Sequence, residues 1–67
     1  MTRYEVEAKV RDIVDEVADE NDLEKDFFGD CYPDDVMHLE NRIALERDSK
    51  ERERMFKEIR EIFMNYV

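Results

Sequence analysis

Asp22, Glu24 and Asp26 stand at alternating positions, the spacing with which a calcium-binding loop begins. Such a loop also needs a glycine at its sixth position and a bidentate acid at its twelfth. Those positions hold Phe27 and Pro33, so the loop fails and only adventitious cation binding is left. Zinc needs four soft or borderline ligands, and one cysteine, Cys31, with one histidine, His38, cannot supply them within a chain. Asp35 and His38 lie three apart, the carboxylate-x-x-His spacing that di-iron helical bundles point inward. A dimer would have to pool two such pairs with Glu40. Among twenty acids one such pair arises by chance, and a helix-surface contact between carboxylate and imidazole is the expected role. Nucleophilic catalysis would need Cys31 beside an oriented base, and His38 is the one candidate. Asp30, Asp34 and Asp35 around that thiol disfavour its thiolate, which makes Cys31 a small hydrophobe beneath a connector. With a single glycine, Gly29, there is no phosphate-cradling loop. These residues point away from an enzyme, and no metal or cofactor is expected.

The charge is far more distinctive than any motif. Residues 1–35 carry thirteen acids and four bases, whereas residues 36–67 carry seven of each. The whole formal net charge of −9 therefore sits in the first half. A single-sign field of that size steers association and partner choice rather than fold. It disfavours direct contact with nucleic acid or an anionic membrane and favours a basic protein surface.

Sixty-seven residues make one small domain, residues 1–67. A chain of this length buries only about 60% of the surface its unfolded form exposes, so its stability is expected to be marginal. Cys31 is alone, which excludes an internal disulfide and fits a reducing compartment. Met1 to Glu7 mixes charges of both signs and lacks the apolar stretch of a secretory signal. The longest apolar runs are three residues, Ile43-Ala44-Leu45 and Ile62-Phe63-Met64, too short to span a membrane. A cytoplasmic protein is expected. Nearly half the residues are charged, a composition that invites disorder, yet seven aromatics and apolar residues at helical spacing argue for a fold.

The elements that must position these side chains read as all-α. Thr2 and Glu5 have capping-box spacing, and Val6, Val10, Ile13, Val14 and Val17 then form one apolar stripe. The opposite side carries Glu5, Asp12, Asp15, Glu16 and Asp19, with Lys9 the one base among them. This predicts a helix near 3–20. Residues 21–33 are an aromatic-containing connector, in which Asn21-Asp22 is expected to cap a short turn holding Leu23 and Phe27. Gly29 suits a left-handed position there. Phe27, Phe28 and Tyr32 are expected to plug the bundle, or to leave one ring as an interface anchor. Pro33 with Asp34 and Asp35 favours the start of a second helix. Val36, Leu39 and Ile43 share one face, but Glu46 to Arg54 is nine residues without an apolar side chain. The stripe returns at Met55, Ile59, Ile62 and Tyr66, about 100–160° around the axis from Ile43 on a straight helix. A turn capped by Asp48-Ser49 explains that shift, giving helices near 34–47 and 50–66; one unbroken helix is the alternative. The expected fold is a small three-helix bundle.

Two faces stand out as binding surfaces. One is acidic: Glu5, Asp12, Asp15, Glu16, Asp19, Asp22, Glu24, Asp26 and Asp30. Carboxylates three or four residues apart on a helix are about 4.5–6 Å apart along its axis. That approaches the roughly 3.4 Å rise per phosphate of a DNA strand within a factor of two. In size and charge, though in no motif, the chain resembles the acidic nucleic-acid mimics that include phage-encoded anti-restriction and anti-CRISPR proteins. The resemblance implies a non-enzymatic inhibitor that occupies the basic DNA- or RNA-binding surface of a partner; the alternative for this face is that it simply keeps a small protein soluble. The other face is the stripe Phe56, Ile59, Ile62, Phe63 and Tyr66 on the last helix, wide enough either for a central helix touched by both others or for a homodimer or partner seam. A structural protein that pairs through this helix is the alternative function.

Overall fold

A computed structural model describes residues 1–24, 26–29 and 32–67. Among these residues the secondary structure is three helices: α1 (Arg3–Glu20), α2 (Asp34–Leu45) and α3 (Ser49–Met64). Each begins and ends for a local reason. At the start of α1 the Thr2 hydroxyl accepts the Glu5 backbone N–H at 3.1 Å. The Thr2 N–H in turn donates to the Glu5 carboxylate at 3.0 Å, closing the capping box that the sequence predicts. That backbone hydrogen bond, followed by the one from the Thr2 hydroxyl, holds the Glu5 carboxyl below its ordinary value. Its contribution to stability is present above the usual carboxylate range and fades as pH falls through the lowered value.

The other end of α1 departs from expectation. Asn21 and Asp22 do not open a new turn; they close the helix. Asp22 adopts a left-handed conformation, φ 54°. Its N–H donates to the Asp19 carbonyl at 3.3 Å, and the Leu23 N–H reaches back to the Ala18 carbonyl at 2.8 Å. This paired pattern is a Schellman motif with aspartate where glycine is usual. The Asn21 side-chain amide adds a bond to the Val17 carbonyl at 2.8 Å. A Cβ in the left-handed region is strained, and a carboxylate opposes the negative end of the helix dipole. Asp22→Gly is therefore expected to raise unfolding free energy by about 0.5–1 kcal/mol, read by urea denaturation. A lower midpoint would show that the Asp22 side chain contributes to the turn.

Two short turns follow, with the Phe27 N–H on the Glu24 carbonyl at 3.0 Å and the Gly29 N–H on the Asp26 carbonyl at 2.9 Å. Gly29 is left-handed at φ 64°, as expected of the one glycine. Pro33 is the residue before α2 rather than its first: its extended ψ of 149° delivers the chain to Asp34. The α2 helix stops at Leu45, two residues short of the predicted 47, because Glu46 turns extended (ψ 132°). The Glu46 carboxylate then accepts the N–H groups of Arg47 at 3.0 Å and Asp48 at 3.1 Å. Asp48 caps α3 by accepting the Lys50 N–H at 3.0 Å. The apolar-free stretch is thus a turn and the first turns of α3, not the middle of a long helix. Met64 ends α3, two residues before the predicted limit.

All three helices pack on one another. The core joins Val6, Val10, Val14 and Val17 of α1 to Val36, Leu39 and Ile43 of α2 and to Met55, Ile59 and Phe63 of α3. Phe63 is completely buried, and the connector plugs that end of the bundle as expected. The rings of Phe28 and Tyr32 stand steeply to it, at 5.0 Å and 67° and at 5.3 Å and 81°. Among the described residues no helix is long and apolar enough to cross a membrane.

One charged side chain joins the core. Glu40 lies on the buried face of α2 and is only 4% exposed. Burial first, and then the nearby Glu7 carboxylate, push its carboxyl above the ordinary value against a smaller opposite pull from Arg3. A raised carboxyl favours the fold below the usual carboxylate range and loses that contribution as pH rises through the raised value. Glu40→Gln is expected to add on the order of 1 kcal/mol at pH 7 and much less at pH 4, compared by urea melts at the two pH values. An equal gain at both pH values would mean that the charge is not what costs stability.

Candidate protein-binding faces

The nine acids of the predicted face are not equivalent once folded. Glu5 is committed to the capping box. Glu16 pairs with Arg60 of α3 at 3.3 Å, and Arg60 also pairs with Glu20, tying the last turn of α1 to α3. Asp15 is half-buried. Asp12, Asp19, Asp22, Glu24 and Asp26 are exposed. Neither these five nor Asp15 enters an ion pair among the described residues. Asp30 lies outside the described residues, as does Cys31. His38 and Asp35 are exposed on α2. Among the described residues no group of three or more His, Cys, Asp or Glu is placed to hold a metal.

The arrangement on α1 costs helix stability. Asp12 and Glu16, Asp15 and Asp19, and Glu16 and Glu20 are like-charged neighbours four residues apart. Each such pair opposes an isolated helix by about 0.2–0.5 kcal/mol. Asp19 and Glu20 also sit in the last turn of α1, which holds no base, at the negative end of its dipole. The α3 helix does the reverse. Arg54 pairs with Glu51 at 2.9 Å and with Glu58, and these two partners hold its guanidinium still more firmly protonated. Charges of both signs solubilise α3 while pairing along it, so solubility alone does not require the one-sided pattern on α1.

The α3 stripe is divided. Ile59 and Phe63 are fully buried because α3 lies against both other helices, which removes them from any surface. Phe56 and Ile62 pack against the edge of the core, and only Tyr66 of the five stands exposed. The Lys9 ammonium covers the Phe56 ring, 5.2 Å from its centroid. Lys9, Asp12, Ile13, Glu53, Phe56 and Lys57 line a mixed-charge groove of about 500 Å³ between α1 and α3. Of the predicted dimer face, Phe56, Ile62 and Tyr66 keep accessible surface.

A second groove, of about 440 Å³, is lined by Phe27, Phe28, Tyr32, Pro33 and Tyr66. Sequence reasoning flagged the three connector rings but placed Tyr66 on the α3 stripe. Nothing in the local spacing relates residue 66 to residue 27. Arg60 as a cross-helix partner was missed for the same reason. Compared with known proteins, the chain matches no protein family, no curated protein and no solved structure.

Proposed function

We propose that this chain is a non-enzymatic inhibitor that presents the outer face of α1 and the acids beyond it to the basic nucleic-acid-binding surface of a partner protein. The observation that carries the reading is the largely unpaired acidic series that runs from Asp12, Asp15 and Asp19 on α1, a helix that could have been charge-balanced as α3 is, to Asp22 and Asp26 just beyond its end. Sequences that break a local stability rule do so at functional sites. On a rigid helix, steps of three and four residues place carboxylates about 4.5–6 Å apart, close enough in density to stand in for phosphates. Charge steering would make association fast and salt-sensitive. A role of the phage anti-restriction or anti-CRISPR type falls within this proposal.

Capture from host lysate with the tagged chain, with and without excess duplex DNA, tests it. A nucleic-acid-binding protein released by the duplex and by raised salt is the expected result. Partners that stay bound in excess duplex would overturn the mimicry.

A further inference from the structure

We propose that the aromatic groove between the connector and the end of α3 receives an arginine side chain from a basic segment of the partner protein. The proposal rests on the reading of the chain as a binder of basic surfaces and adds the anchor that gives the contact a fixed register.

The groove is built, not incidental. Phe63 is buried behind it, with Phe28 and Tyr32 steeply inclined to its ring. Phe27 stands at 88° to Phe28 with centroids 5.1 Å apart. Pro33, held where α2 begins, supplies a flat apolar wall. The rim rings gain little from folding: Phe27 is 52% and Tyr66 59% exposed. Two exposed aromatics on a rigid base suit an interface anchor.

Charge selects the occupant. Between Arg11 and Arg42 the chain holds twelve acids and one Lys or Arg, Lys25. Asp26 precedes Phe27 and Asp34 follows Pro33, both exposed and neither in an ion pair among the described residues. A phosphate or carboxylate would be repelled here. A purely apolar side chain would leave the acids unused. Arginine satisfies both parts, because its stem packs on apolar surface while its planar guanidinium stacks on a ring and directs N–H donors to carboxylates. Lysine is a compact point charge and stacks less well.

The test uses the full chain and two synthetic nonapeptides of equal length and charge, one carrying three arginines and the other three lysines, titrated by calorimetry. Aromatic proton shifts are followed in parallel. The arginine peptide is expected to bind about fivefold more tightly, with shifts at Phe27 and Tyr66. Phe27→Leu and Tyr66→Leu keep apolar surface, lose the ring, and are expected to bring the two peptides to parity without altering far-ultraviolet circular dichroism. Equal affinities in the unaltered chain, or a preference that survives both leucine variants, would overturn the groove. A groove preference combined with lysate partners indifferent to duplex DNA would keep this inference and remove the nucleic-acid mimicry. Loss of the preference beside duplex-sensitive capture would do the opposite.

Discussion

Phe63→Ala is expected to remove about 3–5 kcal/mol of unfolding free energy, leaving much of this small domain unfolded at 25 °C. Phe63 heads the fully buried side chains by volume. It packs in the core with Met55 and Ile59 while Phe28 and Tyr32 stand on it edge-wise. Losing the ring forfeits both aromatic contacts beyond the apolar area itself. The surroundings cannot easily close the gap. The α1 wall is four valines, whose branched Cβ locks a single rotamer in a helix, so the cavity persists. Phe63→Leu keeps most of the volume and is expected to cost markedly less. Urea denaturation followed by circular dichroism measures both variants. A loss below about 1 kcal/mol for Phe63→Ala would mean that the connector aromatics collapse inward and that the groove has no fixed floor.

The parts of the fold that were legible in the sequence are those specified by near neighbours. Thr2 and Glu5 close their capping box within four residues, and the valine stripe needs only helical periodicity. The break after Leu45 was visible as a loss of phase, and Gly29 as the one residue suited to a positive φ. The misreadings have a common cause. Asn21-Asp22 is as good a helix opener as a closer by residue type, and only the Ala18 and Asp19 carbonyls behind it decide which. Glu40 falls at i+4 from Val36 on the buried face, a position that periodicity marks but that residue type alone does not. Ile59 and Phe63 fit either a central helix or a spare apolar face, because periodicity cannot count how many helices α3 touches; it touches both others. For the candidate site, the acids were legible as a group. Which of them the fold spends on caps and cross-helix pairs depends on Arg60, some forty residues away from Glu16 and Glu20.

Those free acids set the sharpest expectation for binding. Asp12, Asp19 and Asp26 are exposed and enter no ion pair among the described residues, so reversing them breaks no such contact. The triple variant Asp12→Lys, Asp19→Lys, Asp26→Lys moves the formal net charge from −9 to −3. On α1 it turns two repulsive pairs, Asp12 with Glu16 and Asp15 with Asp19, into attractive ones and puts a base in a last turn that has none. The variant is expected to be about 0.5–1 kcal/mol more stable than the parent, judged by urea denaturation. Its affinity for the captured partner is expected to fall by about 100-fold at low salt, with most of the salt dependence gone. Stability and binding moving in opposite directions is the signature of charges kept for a partner, since a merely solubilising face would gain stability and lose nothing. Undiminished affinity in this variant would remove the outer face of α1 from the interface.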